Sequence, residues 1–321
     1  MSFLLDGFLR GLALIGRYGT QGFAVSIFLG LALPQFAAAA RPLLAVTIFV
    51  FVMITFARVD AKALAGLLRR PAPLVLATAW LVLAPATVVT LVLALIGREA
   101  IDPGLVLGLA VLGAAPPIMS APAVAMLLGL EPTLVTAAVL LSTSLSPFVS
   151  PFLAEVVAGA LVPLDLAVLI QRLVILIGGA TLAAALLRVG LGEARIRAHK
   201  AHFDGVGVVM YFLFAVAAMD GVLAAALTDP GRVARFLVIA FAISMGGFGA
   251  AMLLLRTLRP ADRLVLGYGT GQRNMGLLIA ALGAATPDTT FLFFALAQFP
   301  IYLMPQIVKP LASRFRPVVA E

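Results

Sequence analysis

The chain alternates long apolar runs with short polar links. Runs near the length of about 20 apolar residues that crosses a bilayer core fall at 20–38, 42–57, 72–97, 105–129, 133–158, 164–188, 205–228, 233–256, 263–285 and 288–312. They predict an all-α integral membrane protein with ten transmembrane helices. The second run is short, so nine spans stay open as an alternative. The stretch MSFLLDGFLRGLALIGRYG sets Asp6, Arg10 and Arg17 on an otherwise apolar helical pattern and reads as an interfacial helix. A competing reading takes Arg10 and Arg17 as the head of a cleaved signal, 21–33 as its apolar stretch and Ala37–Ala40 as the cleavage site. With nine later spans, no separate export signal is needed.

Two runs are visibly broken. The fourth holds Pro116, Pro117 and Pro122 in GAAPPIMSAPAVAM, and the ninth holds Gly267, Gly269, Gly271 and Gly276 in LGYGTGQRNMGLLIA. Proline removes a backbone donor and clustered glycine loosens a helix, so both should unwind near their middles. Unwound backbone survives in a membrane only where protein or a wet cavity surrounds it. The breaks lie about half the chain apart, each in the fourth span of its half. This predicts two inverted five-helix repeats, 1–162 and 163–321, and broken helices in matching positions point to a transporter's binding site. Plain kinks in packed helices are the bland alternative.

Composition narrows the class. The chain of 321 residues is 63% hydrophobic and 11% charged, with no cysteine. A soluble domain needs more charge to cover its surface, and neither a disulfide framework nor a thiolate metal site is available. The net charge of +8 does not signal nucleic acid, because the basic residues sit in short links between apolar runs. With a cytoplasmic N-terminus, sixteen Lys and Arg fall on the inner side, including Arg58, Arg188, Arg256 and Lys309. Four fall outside: Arg41, Arg98, Arg232 and Arg235. That bias puts both termini in the cytoplasm. An Arg-rich, Ala- and Leu-rich composition suggests a bacterial inner membrane.

Two stretches carry a family resemblance. APPIMSAPAVAMLLGLEPTLVTAAVLLSTSLSPFVSPFL (115–153) ends in Ser142, Thr143, Leu145, Ser146 and Pro147, and GQRNMGLLIAALG (271–283) follows in the second half. They resemble broken helix 4 with helix 5, and broken helix 9, of the bile acid:sodium symporter family. The resemblance implies a panel domain of helices 1, 2, 6 and 7 and a core domain of helices 3–5 and 8–10. Helices 4 and 9 would cross at their breaks, at mid-membrane beside the substrate, and transport would proceed by alternating access.

The chain departs from that family where sodium is bound. The helix 9 Glu aligns with Gly269 and the Gln with Arg273. The helix 4 Ser-Asn pair aligns with Ala121 and Pro122, the helix 5 hydroxyl positions with Val135 and Val139, and the helix 3 Gln with Trp80. A hard cation needs several oxygens around it, so sodium is not an expected partner. Arg at a bilayer centre costs about 2.5–3.5 kcal/mol even on the mild insertion scale, so Arg273 calls for a purpose. Its guanidinium could replace the cation, grip a substrate carboxylate or sulfonate, or satisfy carbonyls of the two half-helices without touching substrate. Asn274, Gln272, Gly271, Ser120, Ala121, Pro122 and Trp80 complete the candidate substrate site, with Trp80 able to stack on Arg273. Half-helix N-termini near 120–124 and 274–277 would favour an anion.

Other polar residues offer less. Asp220 could carry a coupling proton, or could simply lie near an interface. Arg172 is expected to snorkel. His199 and His202 are spaced for a metal pair but read as a solvated basic loop. SMGGFGAAM (244–252) should let helices approach closely. No catalytic set of residues appears, and no cofactor or metal is expected. The expectation is a secondary carrier of a small organic anion, not sodium-coupled. A conventional sodium-coupled symporter with relocated ion ligands is the alternative.

Overall fold

A computed structural model describes residues 28–59, 66 and 71–315. The N-terminal stretch with Asp6, Arg10 and Arg17 lies outside the described residues. Regular structure in the described residues is helical, and seven helices are long and apolar enough to cross a membrane. They are Pro34–Ala57, Pro71–Ile96, Thr133–Leu161, Leu166–Leu191, Lys200–Thr228, Pro230–Leu254 and Asp288–Phe315. Large apolar side chains stand exposed along them, including Val75, Leu91 and Leu95 on the second and Val238, Leu253 and Leu254 on the sixth. Apolar surface of that extent needs lipid around it. The protein is an all-α, multi-pass membrane protein.

Helix starts follow the sequence. Pro34, Pro71, Pro103, Pro230 and Pro260 each open a helix, where the missing N–H would have no partner anyway. Asp102 caps one of them, its carboxylate accepting from the N–H groups of Gly104 and Leu105 at 2.9 and 3.1 Å.

Two of the internal prolines are compensated by side chains. Pro147 cannot donate to the Thr143 carbonyl one turn back, and the Ser146 hydroxyl donates to it instead at 2.8 Å. Pro305 leaves the Ile301 carbonyl open in the same way, and the Tyr268 hydroxyl donates to it at 3.3 Å.

One expectation is corrected. The runs 20–38 and 42–57 do not end and begin around residue 40, because Pro34–Ala57 is a single helix. The Ala37–Ala40 run has the highest helix propensity available. Pro42 is absorbed in a 3₁₀ turn over Arg41–Leu43. Arg41 needs no solvent loop, since it donates to Asp220 at 3.0 Å. The helix therefore runs through the place where the composition suggested a turn.

The chain divides into two compact units, Met1–Val59 with Val174–Pro230 and Asp60–Leu173 with Gly231–Glu321. In the first, Phe51 packs on Tyr211 with ring centroids 3.9 Å apart. Arg188 donates to the carbonyls of Ala57 and Val59 at 3.0 and 2.7 Å, closing that helix's C-terminus. Arg58 pairs with Asp204 at 2.6 Å. His199 Nδ1 lies 2.9 Å from the Arg195 carbonyl, and the rings of His199 and His202 are 5.5 Å apart.

The second unit holds two interrupted helices. The first is Pro103–Ala114 followed by Ala121–Leu127, and the second is Pro260–Gly271 followed by Met275–Leu282. Close approach of Pro230–Leu254 to the second depends on small residues. A Cβ on Gly271 would land on the Ser244 carbonyl, and one on Gly247 would sit 3.2 Å from the Gly271 Cα. The small-residue run 244–252 packs inside this unit.

Candidate functional site

The two interruptions meet. Pro117 and Arg273 form an isolated antiparallel bridge. The Ile118 N–H donates to the Gln272 carbonyl at 2.9 Å, and the Asn274 N–H to the Pro116 carbonyl at 2.8 Å. This pairing is what makes unwound backbone tolerable in an apolar setting, where each unpaired group costs several kcal/mol. Pro116 and Pro117 help for a second reason, because neither has an N–H to satisfy. Ala115 and Gln272 close the preceding helices with N–H donors to Val111 and Tyr268, each at 2.9 Å.

Arg273 fills the centre of the crossing. It is 3% exposed. One terminal nitrogen donates to the Gly269 carbonyl at 3.2 Å and the other to the Ala115 carbonyl. Gly269 lies in the last turn of Pro260–Gly271, and Ala115 follows the last residue of Pro103–Ala114. Two negative helix ends thus converge on one fixed positive charge. Its Nε is buried and has no hydrogen-bond partner.

Around this centre the candidates separate into two groups. Gln272 is 1% exposed and its amide nitrogen donates to the Ser244 hydroxyl, so it braces the break from the protein side. Gly271 and Ala121 are buried too. Ser120, Pro122, Asn274 and Trp80 are half-exposed. Ser120 and Asn274 occupy the N-cap positions of Ala121–Leu127 and Met275–Leu282, yet neither side chain caps its helix. Trp80 does not stack on Arg273 among the described contacts. Its indole N–H donates to the Thr270 hydroxyl at 2.9 Å, and that hydroxyl donates to the Leu266 carbonyl at 2.7 Å. Hydrogen bonding, with a definite acceptor one turn before the break, holds the ring.

Two further residues of this unit are given no role by the sequence: Thr78 stands in no motif, and Thr143 stands in the Ser142–Pro147 stretch without one of its own. The Thr78 and Thr143 hydroxyls are buried without partners, on helices Pro71–Ile96 and Thr133–Ala158. A threonine inside an apolar run is an ordinary residue by pattern alone; only burial and an absent partner mark it. Asp220, expected as an interfacial acid or a proton carrier, belongs to the other unit and is held by Arg41. Arg172, expected to snorkel, is exposed and makes a specific contact. It donates to the carbonyls of Ala281 and Leu282 at 2.9 and 3.0 Å, closing the C-terminus of Met275–Leu282.

No protein-family model matches the chain, and no curated protein matches it either.

Proposed function

We propose that the chain is a secondary transporter of a small organic anion, working by alternating access without sodium, in which Arg273 permanently replaces a bound cation. The carrying observation is the guanidinium that donates to carbonyls at the ends of both leading half-helices. A mobile cation at a crossing of this kind neutralises converging helix ends and comes and goes. A guanidinium with both terminal nitrogens engaged does the first and cannot do the second.

The same engagement argues against a direct grip on substrate. Contact with an anion then falls to the half-exposed Ser120, Asn274, Pro122 and Trp80, beside helix N-termini whose N-cap side chains are uncommitted. Placement in a bacterial inner membrane, with ten spans in inverted repeats, belongs to this reading. Seven helices long and apolar enough to cross a membrane, and two shorter interrupted ones, support that reading among the described residues. Kinship with the bile acid:sodium symporter family rests on the residues of 115–153 and 271–283.

A sodium symporter with relocated ligands is the second reading, favoured by the unpartnered hydroxyls of Thr78 and Thr143. Each offers one neutral oxygen, fewer than a hard cation requires.

The test has two stages. Thermal-shift screening of organic acids on the purified protein selects an anion. Uptake of that anion into proteoliposomes is then measured with sodium or with choline outside. Equal initial rates support the proposal, and strict dependence on sodium sinks it.

A further inference from the structure

We propose that the π turn Val174–Gly178 is a hinge, anchored on its N-terminal side by Arg172. The helix Leu166–Leu191 contains no proline, and the local feature its sequence offers at the turn is the pair Gly178–Gly179. The hydrogen-bond ladder widens to π geometry over Val174–Gly178. Such a turn inserts an extra residue, and it is often found where a helix must yield.

The boundary between the two units falls at the same place. The chain passes from one unit to the other after Val59, after Leu173 and after Pro230. Val59 lies beyond the end of Pro34–Ala57, and Pro230 is the first residue of its helix. Of the three, the passage at Leu173–Val174 falls in a helix interior rather than at a helix end, and it opens the π turn.

Each flank is tied within its own unit. Before the turn, Arg172 donates to the carbonyls of Ala281 and Leu282, and Leu173 is fully buried. After it, a Cβ on Gly179 would sit 3.3 Å from the Phe49 ring. Between the ties, Val174 and Ile175 are exposed. Gly178 has helical backbone angles and open space where a side chain would go. Packing does not require a glycine there; the freedom it gives the backbone is what remains. Arg172 is thus a positioning residue, fixing the end about which the rest of the helix turns. The link to alternating access rests on the transporter reading, whereas the bending itself does not.

The chain has no cysteine, so label pairs can be placed directly. Spin labels at Val168→Cys and Leu186→Cys, both exposed sites, would be about 27 Å apart on a straight helix. Val238→Cys with Leu254→Cys, about 24 Å apart, provides a control inside one uninterrupted helix. Pulsed dipolar distances on the full chain in lipid nanodiscs should be broad or two-component across the turn and narrow in the control. Deleting Ile175, which removes the extra residue, should narrow the first distribution to the control width. If that variant does not fold, Gly178→Ala should narrow it in the same direction. A wild-type distribution as narrow as the control overturns the hinge, as does a broad one unchanged in the variant that folds. The readout is a distance, so sodium-driven uptake would leave the hinge standing, and a failed hinge would leave sodium-independent transport intact.

Discussion

Arg273 and Ala115 are 158 positions apart in the chain, and a hydrogen bond from the guanidinium of one to the carbonyl of the other joins two interrupted helices. The contact follows a pattern in this protein. Arg98 donates to Val157, Arg172 to Ala281 and Leu282, Arg188 to Ala57 and Val59, and Arg263 to Met252. Every acceptor lies at or near a helix C-terminus, where the last carbonyls lack partners and carry partial negative charge. Four of these arginines stand near the ends of spans. Arg273 performs the same service inside the protein, for two helices at once.

That role sets an order among substitutions. Two charge-assisted bonds contribute about 1.5–3 kcal/mol each, and the desolvated guanidinium costs about 2.5–3.5 kcal/mol. The net effect therefore lies between about −0.5 and 3.5 kcal/mol of stabilisation. Thermal midpoints in one detergent should fall in the order wild type, Arg273→Lys, Arg273→Leu, Arg273→Glu. Lysine keeps the charge without the fork, leucine loses both, and glutamate sets a carboxylate against two negative helix ends. A glutamate variant as stable as the leucine one would remove the capping role.

Trp80 is the only tryptophan, so intrinsic emission reports a single site beside the crossing. Thr270→Val removes the acceptor of the indole N–H. The emission maximum should move to shorter wavelength, with a stability loss of about 1 kcal/mol for the neutral bond. Unchanged emission would mean that the Trp80–Thr270 bond is absent in the membrane protein.

Much of this was legible in the residues themselves. Pro116, Pro117 and the glycines at 267, 269 and 271 mark where helices break, because their backbone chemistry is local. What Arg273 does there was legible only as one of three alternatives, the bond to half-helix carbonyls among them. A sequence states that a positive charge is present, and only folding decides that Gly269 and Ala115 bring it two carbonyls. The run 20–38 misled for the same reason. Arg41 resembles a loop residue until Asp220, 179 positions away, turns out to face it. Thr78 gave no signal, and Thr143 stood out only as part of the Ser142–Pro147 stretch, since burial without a partner is a tertiary property.

Glycine should be tolerant at one position and indispensable at another within the same packed pair of helices. Alanine at Gly271 meets the Ser244 backbone, which cannot rotate away, whereas alanine at Gly249 meets nothing within 4 Å. Overpacking against fixed atoms costs about 1–3 kcal/mol or more, and filling an open helical glycine gains about 0.5–1 kcal/mol. Gly271→Ala should lower the unfolding midpoint and Gly249→Ala should hold or raise it. The reverse order would contradict the helix approach described here.

The Arg41–Asp220 pair is a candidate for coupling or for structure, and a double-mutant cycle separates the two. Side-chain exposures of 36% and 19% place it between an exposed pair, worth about 0–1 kcal/mol, and a fully buried one, whose rupture costs about 3–5 kcal/mol. Unfolding of Arg41→Gln, Asp220→Asn and the double variant should give a coupling of about 1–2 kcal/mol. A structural pair leaves uptake equally responsive to a pH gradient in Asp220→Asn and wild type. Loss of that response in the variant alone would make Asp220 the proton carrier.

If a fixed cation has replaced a mobile one, exchanging the two should be possible. A Cβ on Gly269 would sit 3.3 Å from a Leu81 methyl and 3.7 Å from the Pro117 Cβ, so a side chain there meets first the flexible end of a leucine. Gly269→Glu with Arg273→Gln removes the guanidinium, adds a carboxylate, and leaves the Gly269 and Ala115 carbonyls needing a positive partner. Sodium should then stabilise the double variant and not the wild type, with choline as the ionic-strength control. At fifteen times its Kd, the ion would add about 1.6 kcal/mol, enough to resolve as a shift in midpoint. Neither single change should respond, because Gly269→Glu alone pairs with Arg273 and Arg273→Gln alone lacks the carboxylate. A sodium-dependent shift in the wild type would show that the guanidinium never took the ion's place.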